Sequence, residues 1–519
     1  MSFNWFHVPV AIRFVSEHNL HSVSGIHLIL RDKANYVTDF ILTVNYIPSV
    51  KEYLIIVNST ITDHERVEWL PAKYECEYEI TDVTLLNQIS HFTSNGFRFI
   101  PHDQVGRRVA ILKLLMLNEG VKRDFINANH YKPIYFMNPG GNGDIGKPIS
   151  ISSFPFNFTN SLLFSNFLSN GTINYNINLN NRQLAYLTDT KYLENMCGGV
   201  VYFENTLESI GLVLGNLRKV NGDGELTIIL SWTLIWEMIN THGPMNGRFN
   251  LNKLQATQIL KNKSSHVTSH VSSVLPIVTI DKYNNTTWGS CIYYKEDTII
   301  TNNHVVKPFL KESNVRCYIY YKPEMSIQII SQRDIKTPFL EFDLSFITLS
   351  SEQIRSVKES HKPITFSNSL KIGQKVTSQG FGLFFNPKNI RPIVSKGIVN
   401  ASLSIPTSLS SDTGVDSVIV TSSSCWNGSS GGGLFNSKQQ FMGMICSNGQ
   451  VKVTSAAGHP ESEVSEKLTR LVFVLPLQTI NFCFDYIMNP LKVTINPKIQ
   501  ELWNMRSFHQ DVVIESSKL

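Results

Sequence analysis

Asn427-Gly428-Ser429-Ser430-Gly431-Gly432-Gly433-Leu434-Phe435 sets a serine in a glycine-lined turn that runs straight into an apolar strand. Glycine reaches backbone conformations closed to other residues, so two N–H groups of such a turn can converge where an oxyanion would form. With Ser430 as nucleophile, the donors expected are its own N–H and that of Gly428. A Gly/Ser-rich run is by itself most often a plain loop. Its weight here comes from what lies upstream.

A serine hydroxyl is a poor nucleophile near neutral pH and needs an adjacent base, itself held by a third group. Thr298-Ile299-Ile300-Thr301-Asn302-Asn303-His304-Val305-Val306 is an apolar strand ending in a histidine. Phe342-Asp343-Leu344-Ser345-Phe346-Ile347-Thr348-Leu349 is an aspartate opening another. Alone, a strand-end histidine reads as structural and an aspartate before an apolar run as a turn residue. Together they give the order His304, Asp343, Ser430, each at a strand boundary, which is the order of the chymotrypsin-like proteases. The α/β-hydrolase order places histidine last, and no glycine-x-serine-x-glycine elbow precedes a helix here.

Residues 285 to about 485 resemble a trypsin-like serine protease of the bacterial Deg/HtrA branch. Trp288-Gly289-Ser290-Cys291-Ile292 resembles the first core strand of that family and Val472-Phe473-Val474-Leu475-Pro476-Leu477 the last, with Asn481 to Ile487 starting a C-terminal helix. Two departures stand out. Ser429 occupies the place of an acidic or Asn residue, which speaks against activation by a new N-terminal ammonium, and Gly433 occupies the place of a proline. The resemblance puts the specificity pocket just before the nucleophile, at Ser424, Cys425 and Trp426, where no acid is present to pair a substrate cation. A small, neutral pocket is expected, with Trp426 either occluding it or forming part of its wall.

The chain has 519 residues, room for two or more cores, with 42% hydrophobic and 17% charged residues, which are globular values. A formal charge of +5 with no basic run interleaved with aromatics argues against a nucleic-acid surface. Seven scattered cysteines without CxxC pairing read as reduced thiols in an intracellular protein. Arg13, Glu17, His18 and His21 interrupt any N-terminal leader pattern. The apolar stretch from Leu226 to Ile239 is too short to span a bilayer. The histidines lack ligand spacing, so neither a metal nor a cofactor is expected.

Residues 1 to about 245 rhyme with the second half. Ser24-Gly25-Ile26-His27-Leu28-Ile29 resembles the strand around Gly289. Phe40 to Ile47 lies on the histidine strand with Tyr46 in the place of His304, and Arg107 to Leu114 on the aspartate strand with Arg108 in the place of Asp343. Met196-Cys197-Gly198-Gly199 matches the serine turn with Cys197 opposite Ser430, and Leu226 to Trp232 matches the last strand. Segments recurring in one order indicate internal duplication. The copy has lost its chemistry, since a tyrosine is too weak a base and Arg108 would repel an imidazolium. Asn157 to Arg182, rich in Asn, Ser and Phe, reads as an insertion loop.

The fold class expected is all-β: a chymotrypsin-like double β-barrel protease domain preceded by a degenerate domain of the same fold. The division is 1–245 degenerate domain, 246–271 linker with a short helix over Leu251 to Leu260, 272–490 protease domain, and 491–519 tail. No PDZ-like domain is expected after residue 491. Ser517-Lys518-Leu519 reads as a peroxisomal import address. With that address, the chain resembles the peroxisomal leader-peptide-processing branch of the Deg/HtrA-related family. The resemblance implies an endopeptidase of the peroxisomal matrix that removes import presequences, often after cysteine. Its partners would be matrix enzymes as protein substrates, the import receptor and further copies of itself in a homo-oligomer. The rival readings are a non-catalytic peptide-binding chaperone with a trypsin-like fold, or a general Deg-type quality-control protease.

Overall fold

The computed structural model describes residues 4–490 except 32–36, 48–49, 59–68, 102–107, 115–130, 137–143, 159–165, 180–181, 207, 243–272, 368, 407–413 and 454–463. The expected linker with its short helix, the tail, and Ser517, Lys518 and Leu519 lie outside the described residues. Two compact units are present, Met1–His270 and Val271–Leu519.

The second unit is built from β-branched and aromatic residues that suit a half-buried pleated surface. Its first sheet comprises β13 (Val274–Ile280), β14 (Thr286–Lys295), β15 (Thr298–Asn302), β16 (Arg316–Lys322), β17 (Met325–Ile329) and β18 (Leu344–Thr348), in the order β17-β16-β13-β14-β15-β18, with the two-residue strand Ile335–Lys336 at the β18 edge. In β16, Cys317, Ile319 and Tyr321 are buried while Tyr318 and Tyr320 are half-buried, the period-two pattern of a strand with one face on a core. The strand carrying Gly289 is thus the second of the unit rather than the first. It pairs along its length with Val274–Ile280, whose continuous apolar run carries no motif.

The second sheet is a closed barrel of β19 (Lys375–Gly380), β20 (Ile393–Pro406), β21 (Gly414–Thr421), β22 (Gly433–Asn436), β23 (Phe441–Val453) and β24 (Val464–Pro476), in the order β19-β20-β21-β24-β23-β22. Val376, Val399, Ile419, Leu434, Ile445 and Val474 pack together within it. Leu275, Ile277, Ile299 and Ile347 do the same in the first sheet. A third cluster, with Ile292, Phe342, Leu344, Met444 and Leu475, takes in residues of both. Each such side chain contributes about 1.5–3 kcal/mol on leaving water. After Pro476 the chain enters a helix, Leu477–Met488, which buries Leu477, Ile480 and Cys483.

The first unit repeats this plan. Its first barrel is β1 (Asn4–Val15), β2 (Leu20–Arg31), β3 (Val37–Asn45), β4 (Leu54–Asn58), β5 (Leu70–Glu79) and β6 (Arg108–Leu114), closed in the order β1-β2-β3-β6-β5-β4. The second is β7 (Pro148–Ser153), β8 (Phe167–Leu179), β9 (Arg182–Thr188), β10 (Val200–Phe203), β11 (Glu208–Lys219) and β12 (Glu225–Ser231), closed in the order β7-β8-β9-β12-β11-β10. A helix, Trp232–His242, again follows the last strand. β1 to β12 therefore recur in the same sequence as β13 to β24.

One expectation fails here. Half of the supposed insertion loop, Asn157 to Arg182, is strand β8, whose Ile173, Tyr175 and Ile177 are buried and which pairs with both β7 and β9. The alternation Ile173-Asn174-Tyr175-Asn176-Ile177 is a strand pattern. Asparagine, which alone favours turns, conceals it when it fills every other place.

Candidate active site

β15 ends at Asn302 and the chain turns at once into a helix, Asn303–Lys311, so His304 stands in a helical first turn rather than on the strand. Asn302 precedes the helix without a side-chain capping bond. Asp343 supplies one instead: its Oδ1 accepts the backbone N–H of His304 at 2.8 Å, a carboxylate at the positive end of a helix. Its Oδ2 lies 2.5 Å from His304 Nδ1. Facing a carboxylate oxygen, Nδ1 is the ring nitrogen placed to donate, which leaves Nε2 as the ring's acceptor. The His304 side chain is 50% exposed.

Asp343 is placed by its own backbone. It sits in the left-handed region at φ 50°, ending the turn Leu340–Phe342 and opening β18. Its carbonyl accepts from the Asn303 N–H at 2.9 Å and from Asn302 Nδ2 at 3.0 Å. Asn302, fully buried, also reaches the Cys446 thiol at 3.4 Å. Burial first, and Asp343 nearby, push that thiol up to about 12. Cys446 bears on the site through its carbonyl as well, which accepts the Ser430 hydroxyl at 3.3 Å. Among the described hydrogen bonds none joins Ser430 to His304. At Gly289 an added Cβ would meet Val305, the residue after His304, at 2.7 Å and the Ser430 carbonyl at 3.3 Å.

The turn before Ser430 has every carbonyl occupied. Trp426 O accepts from the Ser429 N–H at 2.8 Å, Asn427 O from Leu383 at 2.7 Å, and Ser429 O from Gly432 at 2.8 Å. Gly428 O accepts from the Ser290 hydroxyl at 2.8 Å, and Ser430 O from the Ser290 N–H at 2.8 Å. Among the described residues, the N–H groups of Gly428 and Ser430 donate to no protein acceptor. These are the two donors expected of an oxyanion site. Gly428 and Gly431 hold φ of 93° and 83°, and a Cβ on Gly431 would fall 2.0 Å from the Ser290 carbonyl. Ser429 Oγ accepts the Trp426 N–H at 3.2 Å, so the turn is locked by its own backbone where an acidic residue would call for an outside cation. Gly433 has a local reason too, since a Cβ there would press on the Phe435 ring at 2.5 Å.

Of the residues expected to form the pocket, Cys425 packs with Val376, Val399 and Ile419 in the barrel core. Trp426 is buried, its Cβ 3.1 Å from where a Cβ on Gly382 would sit. Ser424 is tied by its backbone to Ser395 Oγ at 3.0 Å and Ser378 Oγ at 2.9 Å, leaving its hydroxyl outside the described hydrogen bonds. Among the described residues no group of His, Cys, Asp and Glu could hold a metal ion, and no helix is long and apolar enough to cross a membrane. None of the seven cysteines is in a disulfide.

The first unit repeats the bonds by which a buried serine holds the turn. The Ser24 N–H donates to Cys197 O at 2.8 Å, its hydroxyl to Asn195 O at 2.8 Å, and Thr43 Oγ1 to Ser24 O at 2.6 Å. In the second unit, the Ser290 N–H and hydroxyl reach Ser430 O and Gly428 O in the same way, and Thr301 Oγ1 reaches Ser290 O at 2.7 Å. This register sets Tyr46 against His304, Arg108 against Asp343 and Cys197 against Ser430. Arg108 pairs with Glu77 at 2.5 Å, and the fully buried Cys197 thiol is covered by the Tyr192 hydroxyl at 3.2 Å. Burial, then Cys197 and Glu194, raise the Tyr46 phenol above its ordinary range, so it stays protonated and is no base.

Residues 289–444 match the trypsin-like peptidase domain. No curated protein matches the chain. Among solved structures it is similar to the HtrA-type protease AlgW with tripeptide, at 15% identity and TM-score 0.29, covering 42% of this chain and 61% of that one. It is similar to the Rv3671c protease from M. tuberculosis in its active form, at 16% and 0.28, covering 41% and 81%. It is also similar to Deg5, at 18% and 0.30, covering 43% and 91%. The chain thus spans 61% of the length of the AlgW structure that it matches. The domain match and the strand order of the second unit, with its closed second barrel, agree in giving residues 289–444 the features of a trypsin-like peptidase domain.

Proposed function

We propose that the chain is a serine endopeptidase whose reaction centre is His304, Asp343 and Ser430, with the N–H groups of Gly428 and Ser430 as oxyanion donors. His304 Nε2 takes the proton from Ser430 as its oxygen attacks the scissile carbonyl, and Asp343 holds the imidazole and stabilises the imidazolium. The tetrahedral oxygen is held by Gly428 and Ser430, and water later resolves the acyl-enzyme. The observation that carries this reading is the occupation of every carbonyl from Trp426 to Ser430 while those two N–H groups stay unused. The neutral residues before the nucleophile, Ser424 first, suit a small uncharged side chain at the cleaved position, cysteine included.

The finer reading is removal of N-terminal presequences from peroxisomal matrix enzymes, in the compartment addressed by Ser517-Lys518-Leu519. Incubating the wild type and Ser430→Ala with a matrix-enzyme precursor tests both levels. Presequence loss with the wild type alone supports the whole reading. Cleavage of casein but not of the precursor leaves a serine peptidase with another substrate. Full cleavage by a folded Ser430→Ala chain overturns the catalytic assignment.

A further inference from the structure

In a planar trans peptide the C=O of one residue and the N–H of the next point in opposite directions, so whatever holds the carbonyl aims the N–H. For the Ser430 N–H that carbonyl is Ser429 O, held by the Gly432 N–H at 2.8 Å within the turn itself. For the Gly428 N–H it is Asn427 O, held at 2.7 Å by the backbone N–H of Leu383, in the segment that leaves β19. One donor is thus set locally and the other from a distant part of the chain. Leu383 stands there at φ 65°, and the Gly382 carbonyl accepts the Phe384 N–H at 2.8 Å, closing a γ-turn around it. Positive φ makes this the strained form of that turn, which a bulky residue adopts only when its surroundings hold it there. The Leu383 side chain is only 1% exposed, an apolar anchor for the turn.

We propose that Leu383 is a positioning residue of the oxyanion site: its backbone N–H, presented by a strained turn that its buried side chain anchors, fixes the Asn427–Gly428 peptide and so aims the Gly428 N–H at the reacting carbonyl oxygen. It acts through that peptide and touches no substrate. The segment lies directly on the nucleophile turn, since a Cβ on Gly382 would fall 2.4 Å from Ser429 Oγ and 3.1 Å from Trp426 Cβ. Phe381 is fastened at both ends, its N–H donating to Ser290 Oγ at 2.8 Å and its carbonyl accepting from Trp288 Nε1 at 2.9 Å. The first unit supplies an internal control. Phe154 donates to Ser24 Oγ at 2.9 Å as Phe381 does to Ser290, which places Phe156 opposite Leu383. Phe156, at φ 48°, donates its N–H to Glu194 O at 3.1 Å, and Asn195 follows at φ 70° in the place of Gly428. That turn carries the inert Cys197, so the same bond can be removed there without touching chemistry.

The inference rests on the serine-peptidase reading, and the test separates the two. In the full-length chain the α-hydroxy acid counterpart of leucine replaces Leu383, which turns its N–H into an ester oxygen and leaves the side chain unchanged. A second chain carries the counterpart of phenylalanine in place of Phe156. Both are labelled with a fluorophosphonate beside the wild type over a range of pH. Loss of one oxyanion donor costs about 10²–10³ in rate. A donor still present but no longer aimed should lower labelling by roughly 10- to 100-fold, without moving the pH profile set by His304. The Phe156 ester should label at the wild-type rate. Failure of the wild type itself to label overturns the peptidase reading. A labelled wild type beside an equally fast Leu383 ester overturns the role of Leu383. So does an equal loss in the Phe156 ester, or a shifted profile, which would trace the loss to His304. If the Leu383 ester does not fold, Leu383→Met and Leu383→Ala decide. Methionine keeps the apolar anchor at similar volume and should label within about twofold of the wild type. Alanine removes the anchor and should label roughly tenfold more slowly or worse; equal labelling of the two overturns the proposal.

Discussion

Asp343 grips His304 at two points, accepting the backbone N–H at 2.8 Å with one carboxylate oxygen and facing Nδ1 at 2.5 Å with the other. The carboxylate thus caps the helix that carries the histidine and orients the ring from the same place. Replacing it by an amide affects the two functions differently. Asp343→Asn can still accept the backbone N–H, but its amide is free to offer N–H to the ring and select the wrong tautomer. We expect a drop in kcat of about 10⁴ with little change in fold, measured by ester hydrolysis beside far-ultraviolet circular dichroism. A tenfold drop or less would argue that another group orients His304.

The glycines after the two matching turns should respond alike despite the different chemistry beside them. Gly431 at φ 83° would bring a Cβ to 2.0 Å from Ser290 O, and Gly198 at φ 80° to 2.0 Å from Ser24 O. Gly431→Ala and Gly198→Ala should each cost on the order of 3 kcal/mol or more, strain and backbone clash adding. Gly222, at φ 78° with nothing within 4 Å of an added Cβ, should lose only about 1 kcal/mol as alanine. Urea denaturation of the three variants gives the ranking, and equal costs at all three would remove the packing explanation.

His7 makes the first unit acid-sensitive. Its Nδ1 lies 3.0 Å from the Lys132 carbonyl and its Nε2 2.6 Å from the Tyr202 hydroxyl, a pattern that suits the neutral ring with Nδ1 donating and Nε2 accepting. Burial lowers the pKa from 6.5 to about 4. A base with a depressed folded pKa contributes stability that is complete above the unfolded value and is lost as pH falls. The loss should run from pH 6.5 down to about 4 and amount to about 3 kcal/mol. Thermal melting of the wild type and His7→Gln over that range checks it: the difference between them should shrink as pH falls, and a constant difference would refute it.

Much of the architecture can be read in the chain because strands announce themselves locally. The run Arg316 to Lys322 alternates in composition as it does in burial, and Thr298 to Thr301 is plainly apolar. The failures are equally local. β8 hides behind asparagines at alternate places, and β13, a continuous apolar run, lacks any residue to mark it as the opening strand. His304 is legible as a candidate base but not as a helical residue, since the turn into the helix depends on a carboxylate from elsewhere in the chain.

The order His304, Asp343, Ser430, the glycines around the last, and the replacements Tyr46, Arg108 and Cys197 in the copy are all determined by the sequence alone. They are matters of which chemical groups are present and of short-range backbone freedom. Only the tertiary structure decided how those groups are held. Asn302 joins the Asp343 carbonyl to Cys446, and the Ser290 hydroxyl reaches Gly428 across 138 residues. Hydrogen bonds of this kind are directional and leave no periodic trace along the chain, so they exist only once the strands carrying their partners have come together.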